Sequence, residues 1–150
     1  MFNLTTMDIV TFYHDCWNHS GTSLQKAHHY QINWADRHIT WVGELEDVTE
    51  HSVSLFGSER ELLLSFTVIV DWGYDERERR YPIHRRVLVT LPLSTSGDCL
   101  NYDKGQNCMV TSILPPNLSG TDWNLLCMTG VSVAAHEVEK KKTFWDRLFP

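Results

Sequence analysis

The chain has 150 residues, of which 42% are apolar and 21% charged, and its net charge is −6. This length corresponds to one ordinary domain that can bury a sizeable core. The composition excludes a disordered, collagen-like or coiled-coil protein, and the acidic balance disfavours non-specific binding to nucleic acid.

Two helices are predicted at the N-terminus. From Met7 to Trp17 the apolar residues recur at a spacing closer to 3.6 than to 2, which predicts a helix that residues 18–21 end. Thr22 and Gln25, three positions apart, form a capping-box pattern and predict the start of a second helix. We expect this second helix to turn four residues inward, namely Leu24, Ala27, His28 and Gln31.

Strands are predicted from about residue 38 onward. Ile39, Trp41 and Leu45 share one face of the first strand, and Glu44 and Glu46 lie on the other. Further strands are predicted over 52–56, 85–91, 107–114 and 125–133. Residues 73–82 are expected to form a charged connection and residues 94–106 a polar loop, since both are rich in turn residues.

The clearest strand runs from Glu61 to Trp72. Every second residue in it is apolar and is expected to face inward, namely Leu62, Leu64, Phe66, Val68, Val70 and Trp72. Five or six strands preceded by helices fit a small closed or half-closed β-barrel. A two-sheet sandwich is the competing architecture, but the small number of strands and this long central strand favour the barrel.

The predicted fold is therefore mainly β, a small five- to six-stranded barrel with an N-terminal helical segment and a short C-terminal helix. We expect residues 1–37 to form the helical segment packed on the barrel, residues 38–134 the barrel itself, and residues 135–150 a charged and aromatic tail.

Three stretches of the predicted barrel carry a family resemblance. Residues 41–48, WVGELEDV, contain Gly43, which allows the sharp coil by which such barrels close. Residues 103–111, DKGQNCMVT, look like a lysine–glycine turn entering a strand, and residues 126–133, LCMTGVSV, like the closing strand. Over 38–134 the chain thus resembles the OB-fold in its tRNA-anticodon-binding-like form. The resemblance implies ligand binding on the second and third strands and the adjoining loops.

Charge is distributed unevenly along the chain. Residues 1–76 carry three basic and twelve acidic side chains, whereas residues 77–150 carry ten basic and seven acidic ones. Five arginines lie within 77–86 beside aromatic residues and could contact phosphates. Asp75, Glu76 and Glu78 interrupt them, so a solvated hairpin with paired charges is the alternative. The residues expected to bind a ligand are Trp72, Tyr74, Arg80, Tyr81, Arg85 and Arg86.

No pattern predicts a metal, a cofactor or a catalytic residue. His14 and His19 are five positions apart and share no helical face well, whereas zinc needs three or four converging ligands. The chain has no CxxC, P-loop, GxGxxG, GxSxG or HExxH motif. The cysteines Cys16, Cys99, Cys108 and Cys127 are expected to be reduced, although Cys99 and Cys108 could face each other across a hairpin.

The C-terminal tail combines three lysines, 140–142, with an amphipathic stripe formed by Phe144, Trp145, Leu148 and Phe149. Too short to be stable alone, it can pack on its own barrel, dock on a protein partner, or lie on an anionic membrane surface. The N-terminus lacks the pattern of a secretion signal and no run is long enough to span a bilayer. The expected location is therefore the cytoplasm.

Together these features predict a non-enzymatic binding module of OB-like fold. Its ligand is expected to be a protein partner or a second copy of the chain, because the chain is acidic. The alternative is a single-stranded nucleic-acid-binding protein that uses the segment from Arg77 to Arg86. A small enzyme is a third function class, for which no centre can be named.

Overall fold

The structure describes five strands that form a closed barrel, namely β1 His38–Ser52, β2 Arg60–Tyr74, β3 Arg80–Pro92, β4 Asn107–Ile113 and β5 Leu126–Ala135. Their order around the barrel is β1-β2-β3-β5-β4, with β4 returning to pair with β1. The computed structural model describes residues 8–52, 60–92 and 97–136. In it, β3 and β5 run parallel and all other neighbours antiparallel. The predicted OB-like barrel is confirmed.

Large apolar side chains fill this barrel. The inward residues of β2 from Leu62 to Val70 are at most 1% exposed, and the rings of Trp41 and Phe66 meet edge to face with centroids 5.3 Å apart. The indole of Trp41 donates to the Ser112 hydroxyl over 3.0 Å. At Gly43, a Cβ would lie 2.7 Å from the Trp41 ring, so only glycine fits there. Because side chains fill the interior, a ligand has to bind on the outer surface of the barrel.

Two helical segments precede the barrel. α1 spans Asp8–Phe12 and continues as a π-helical turn, Tyr13–Trp17, and α2 spans Ser23–Asn33. The predicted capping box is confirmed, because the Thr22 hydroxyl accepts from the Gln25 amide and the Gln25 side chain accepts from the Thr22 amide.

The predicted inner stripe of α2 is wrong. Leu24 is 80% exposed, and the side chains of His28 and Gln31 also face solvent while that of Ala27 is half-buried. Tyr30 is buried instead, with Trp34 one turn later. Aromatic rings bury more area than leucine, so these two rings determine which face turns inward.

An aromatic cluster joins the helices to the barrel. The Phe12 ring lies 5.1 Å from Trp34, 6.0 Å from Tyr30 and 6.3 Å from Trp123, measured between centroids. Trp123 belongs to a 3₁₀ helix, Gly120–Asn124, between β4 and β5. The cluster therefore fixes the helices against the loop that leads into β5.

Several predicted features fall in or near the gaps. A 3₁₀ helix, Gly97–Asn101, lies in the predicted polar loop. The predicted strand over 52–56 and the C-terminal helix with Phe144, Trp145, Leu148 and Phe149 lie largely or wholly outside the described residues. None of the four cysteines forms a disulfide; Cys16, Cys99 and Cys108 are buried and Cys127 is exposed. No helix among the described residues is long and apolar enough to cross a bilayer.

Candidate nucleic-acid interface

The ends of β2 and β3 form a hairpin arm, residues 69–86, that continues past the rest of the sheet. β1 pairs with β2 only as far as Thr67, and β5 pairs with β3 only from Val87 onward. Between these limits the two strands pair with each other alone. The charged connection predicted at 73–82 is therefore shorter than expected, because residues 73–74 belong to β2 and residues 80–82 to β3.

A five-residue turn, 75–79, closes the arm. The Asp75 carboxylate accepts from the backbone amides of Arg77 and Arg79 at 2.9 and 2.8 Å, and from the Arg79 guanidinium at 3.0 Å. Glu78 adopts a left-handed conformation with φ 59°. The charged residues of this segment have the composition of a loop, but they form a tight turn. The turn uses the carboxylate of Asp75, one of the acids that interrupt the arginine-rich segment.

A β-bulge decides which residues the arm exposes. The register of β2 against β3 shifts between Ile69 and Asp71, so Val70 stays in the core while Trp72 turns outward. The prediction that Trp72 faces inward is wrong for this reason: its side chain is 41% exposed. A bulge adds one residue and so reverses the alternation beyond it.

The outer face of the arm brings together aromatic and cationic side chains. Tyr74 lies opposite Arg80, and Trp72 opposite Pro82. The Arg80 guanidinium stacks on the Trp72 ring, 3.9 Å from its centroid, and the Tyr74 side chain is 69% exposed. Further along the same face, β3 presents His84 and then Arg86.

Two of the six predicted binding residues lie on the opposite, inner face. Tyr81 lies across from Gly73, and its ring occupies the space that a Cβ at Gly73 would need. Arg85 points toward the helices, with its guanidinium carbon 5.8 Å from the centroid of the Tyr13 ring. The structure therefore gathers Trp72, Tyr74, Arg80 and Arg86 on one face and separates Tyr81 and Arg85 from them.

Arg86 is the one member of the outer face that pairs with an acid among the described ion pairs. Its Nε lies 3.0 Å from Glu46 Oε2, and the Thr67 hydroxyl donates to the same carboxylate. These contacts, the Thr67 hydrogen bond first, hold the pKa of Glu46 below its usual value. An open groove of about 560 Å³ begins here and is lined by Glu46, Thr67, His84, Arg85, Arg86, Asn124 and Leu125.

Sequence reasoning missed the residues at the far side of this groove. Asn124 and Leu125 lie just before β5, and the neighbouring Lys26 and Trp123 stack with 4.0 Å between the ammonium and the ring centroid. Lys26 is about 100 positions away from Trp123, Asn124 and Leu125 in the chain, so no local pattern could associate it with them. Among the described residues, no group of three or more metal-ligating side chains converges.

No protein-family model and no curated protein sequence matches the chain. Among solved structures, it is similar to the small single-stranded DNA-binding protein from Streptomyces coelicolor, with 9% identity, a TM-score of 0.49, and coverage of 67% of this chain and 94% of that one. It is also similar to PriB from Ralstonia solanacearum, with 10% identity, a TM-score of 0.43, and coverage of 69% and 100% respectively. At these identities the likeness concerns the fold alone.

Proposed function

We propose that the outer face of the arm and the adjoining groove bind single-stranded nucleic acid. The observation that supports this most is the stacked pair of Trp72 and Arg80 beside the exposed ring of Tyr74. Single strands are held by aromatic rings that stack on bases and by cations that follow the backbone. The arm presents both kinds of group at the same place.

Local charge favours this function although the chain as a whole is acidic. On the outer face of the strand pair, the described residues from 63 to 74 and from 80 to 90 include no carboxylate, and Glu61 lies beyond them, opposite Pro92. Asp71 lies on the inner side with Ile83, and Asp75 is held in the turn. The net charge of −6 therefore resides elsewhere than on the strand pair that carries the aromatic rings.

The same exposed rings could also serve a protein partner, the function that the acidic composition favours. The two functions differ in their dependence on salt. Binding to a nucleic-acid backbone releases counterions, so its affinity falls steeply with ionic strength. The docking of the tail, the tRNA-anticodon-binding-like subtype and a cytoplasmic location stay predictions.

The test is a titration of a fluorescently labelled single-stranded oligonucleotide of about 16 nucleotides, the upper range of sites on one OB-fold. Trp72→Ala should weaken binding by about 1–3 kcal/mol, roughly 5- to 150-fold, because one base loses its stacking partner. Arg80→Gln should weaken binding and lower the slope of log affinity against log salt by about 0.7.

Tyr81→Ala is the matched control, since it removes a comparably exposed aromatic ring from the opposite face of the same arm. Its affinity should stay close to that of the unmodified chain. Absence of binding at about 50 mM salt, where phosphate contacts are strong, would refute the proposal. So would an equal loss of affinity in Trp72→Ala and Tyr81→Ala.

A further inference from the structure

A second concave site lies between the N-terminal helices, β3 and the 3₁₀ helix before β5. We call it the Lys26 pocket, and it encloses about 300 Å³. Its lining comes from three distant parts of the chain and consists of Trp17, Asn18, His19, Lys26, Arg85, Trp123 and Asn124. All of these residues are described, and none of them is acidic.

Lys26, one of the lining residues of this pocket, is held in place by an aromatic ring. Its ammonium lies 4.0 Å from the centroid of the Trp123 ring. Trp123 is fixed in turn, because the Trp17 indole donates to its carbonyl over 2.8 Å and the Tyr30 ring packs edge-on against it at 5.6 Å. Burial lowers the pKa of Lys26, and the nearby charge of Arg85 lowers it further.

Two further residues with donor groups, Arg85 and His19, line the same pocket. Arg85 reaches it from the inner face of β3, between the helices and the loop before β5. The backbone amide of Gly21 donates to His19 Nδ1 over 2.9 Å. In the neutral ring the proton of His19 therefore resides on Nε2, which is a hydrogen-bond donor.

Acids on the neighbouring elements have other partners: the Asp122 carboxylate, next to Trp123, accepts from the Ser119 amide at 3.2 Å. The Asp15 carboxylate accepts from the Trp34 indole at 2.7 Å and contacts His29 at 2.8 Å. Asp71 accepts from the Trp72 amide and lies 3.7 Å from His14. Two like charges held close together repel each other. No carboxylate among the described residues pairs with Lys26 or Arg85, so a bound anion would offset this repulsion.

The chemistry of the donors identifies the kind of anion. An ammonium and a guanidinium, aided by an imidazole N–H, suit a group with several acceptor oxygens in a small volume, as a phosphate has. The pocket also adjoins the groove on the arm, since Arg85 and Asn124 line both. A strand lying along the arm can thus place one phosphate in it.

We propose that the Lys26 pocket binds a phosphate group of the nucleic acid held on the outer face of the arm. This inference rests on the proposed function for its ligand, but the pocket should also bind inorganic phosphate by itself. Lys26 lies on α2 and His19 in the connection that precedes it, so the segment before the barrel supplies both.

The first experiment measures the salt dependence of oligonucleotide binding in Lys26→Gln. Losing one phosphate contact should lower the slope of log affinity against log salt by about 0.7. Arg37→Gln is the matched control, because Arg37 is also a cation stacked on a tryptophan, 4.7 Å from the Trp34 ring centroid. Its slope should not change. An unchanged slope in Lys26→Gln would overturn the inference.

Comparing oligonucleotides with a 5′-phosphate and a 5′-hydroxyl then distinguishes the source of the phosphate. Preference for the phosphorylated end, lost in Lys26→Gln, supports a terminal phosphate. Equal binding of the two, with the slope still reduced in Lys26→Gln, supports an internal phosphodiester.

The second experiment needs no nucleic acid. Inorganic phosphate is titrated at constant ionic strength while NMR spectra are recorded. The indole N–H resonances of Trp17 and Trp123 should shift in the intact chain and in Arg37→Gln, but not in Lys26→Gln. A shift without oligonucleotide binding would mean that the proposed function fails while the pocket stands. Trp72-dependent oligonucleotide binding without any such shift would overturn the pocket and leave the proposed function intact.

Discussion

β2 and β3 build two regions of opposite character, the barrel interior and the arm. In the interior, Phe66 is fully buried and its ring packs edge-on against Trp41. Six positions further along the same strand, Trp72 is 41% exposed and the Arg80 guanidinium stacks on its ring. A single bulge separates them. The comparison shows that an aromatic residue in one strand stabilises the fold or offers a binding surface according to its side of that bulge.

The largest expected effect is the difference in stability between alanine substitutions of these two rings. Phe66→Ala should lower the free energy of unfolding by about 3–5 kcal/mol, because it leaves a cavity in a filled core. Trp72→Ala should lower it by less than about 1 kcal/mol, since it removes an exposed ring and one cation–π contact. Urea unfolding followed by circular dichroism measures both. Similar losses in the two variants would mean that the arm is part of the core.

A smaller difference in stability is expected between alanine substitutions of one glycine in each region. In Gly43→Ala the new methyl would lie 2.7 Å from the buried Trp41 ring and 3.1 Å from Val68, so overpacking should cost about 1–3 kcal/mol. In Gly73→Ala it would meet the far end of the half-exposed Tyr81 ring, which can rotate into solvent. Thermal unfolding should therefore show a clear loss for Gly43→Ala and little change for Gly73→Ala. The reverse order would contradict the division between the two regions.

The smallest expected effect concerns the N-terminal helices. Their aromatic rings are buried, as in the barrel core, but their polar side-chain contacts are exposed to solvent, as on the arm. Hydrogen bonds from Trp34 and then His29 hold the pKa of Asp15 below its ordinary 3.8. A carboxylate with a depressed pKa stabilises the fold above the unfolded value, and this contribution is lost as pH falls through the folded value. Asp15→Asn should therefore cost about 1 kcal/mol at neutral pH, the exposure of the group keeping it small.

Unfolding measured from about pH 7 down to about pH 3 checks this, since the difference between Asp15→Asn and the unmodified chain should narrow as Asp15 becomes protonated. Asp103→Asn, at an exposed position before β4, serves as the control and should track the unmodified chain throughout. A constant difference for Asp15→Asn at all pH values would show that its charge is not what joins the two helices.

Sequence alone determined the barrel and its lining. The alternation of apolar and polar residues from Leu62 to Val70 predicts which face points inward, because a strand turns every second side chain to the same side. The capping box at Thr22 was equally readable, since its two hydrogen bonds join residues three apart. The arginine-rich segment was recognisable by composition, although four of the six predicted residues share a face and two do not.

Only the tertiary structure decided which surfaces these elements present. The bulge at Val70 depends on pairing with β3, so alternation could not foresee that Trp72 turns outward. The face of α2 was set by Tyr30 and Trp34 packing against Phe12 and Trp123, beyond the reach of helical periodicity. The Lys26 pocket joins three segments that are far apart in the chain. Local sequence patterns indicate which residues can be buried. Only the fold can bring cations that are distant in the chain, such as Lys26 and Arg85, together in one place.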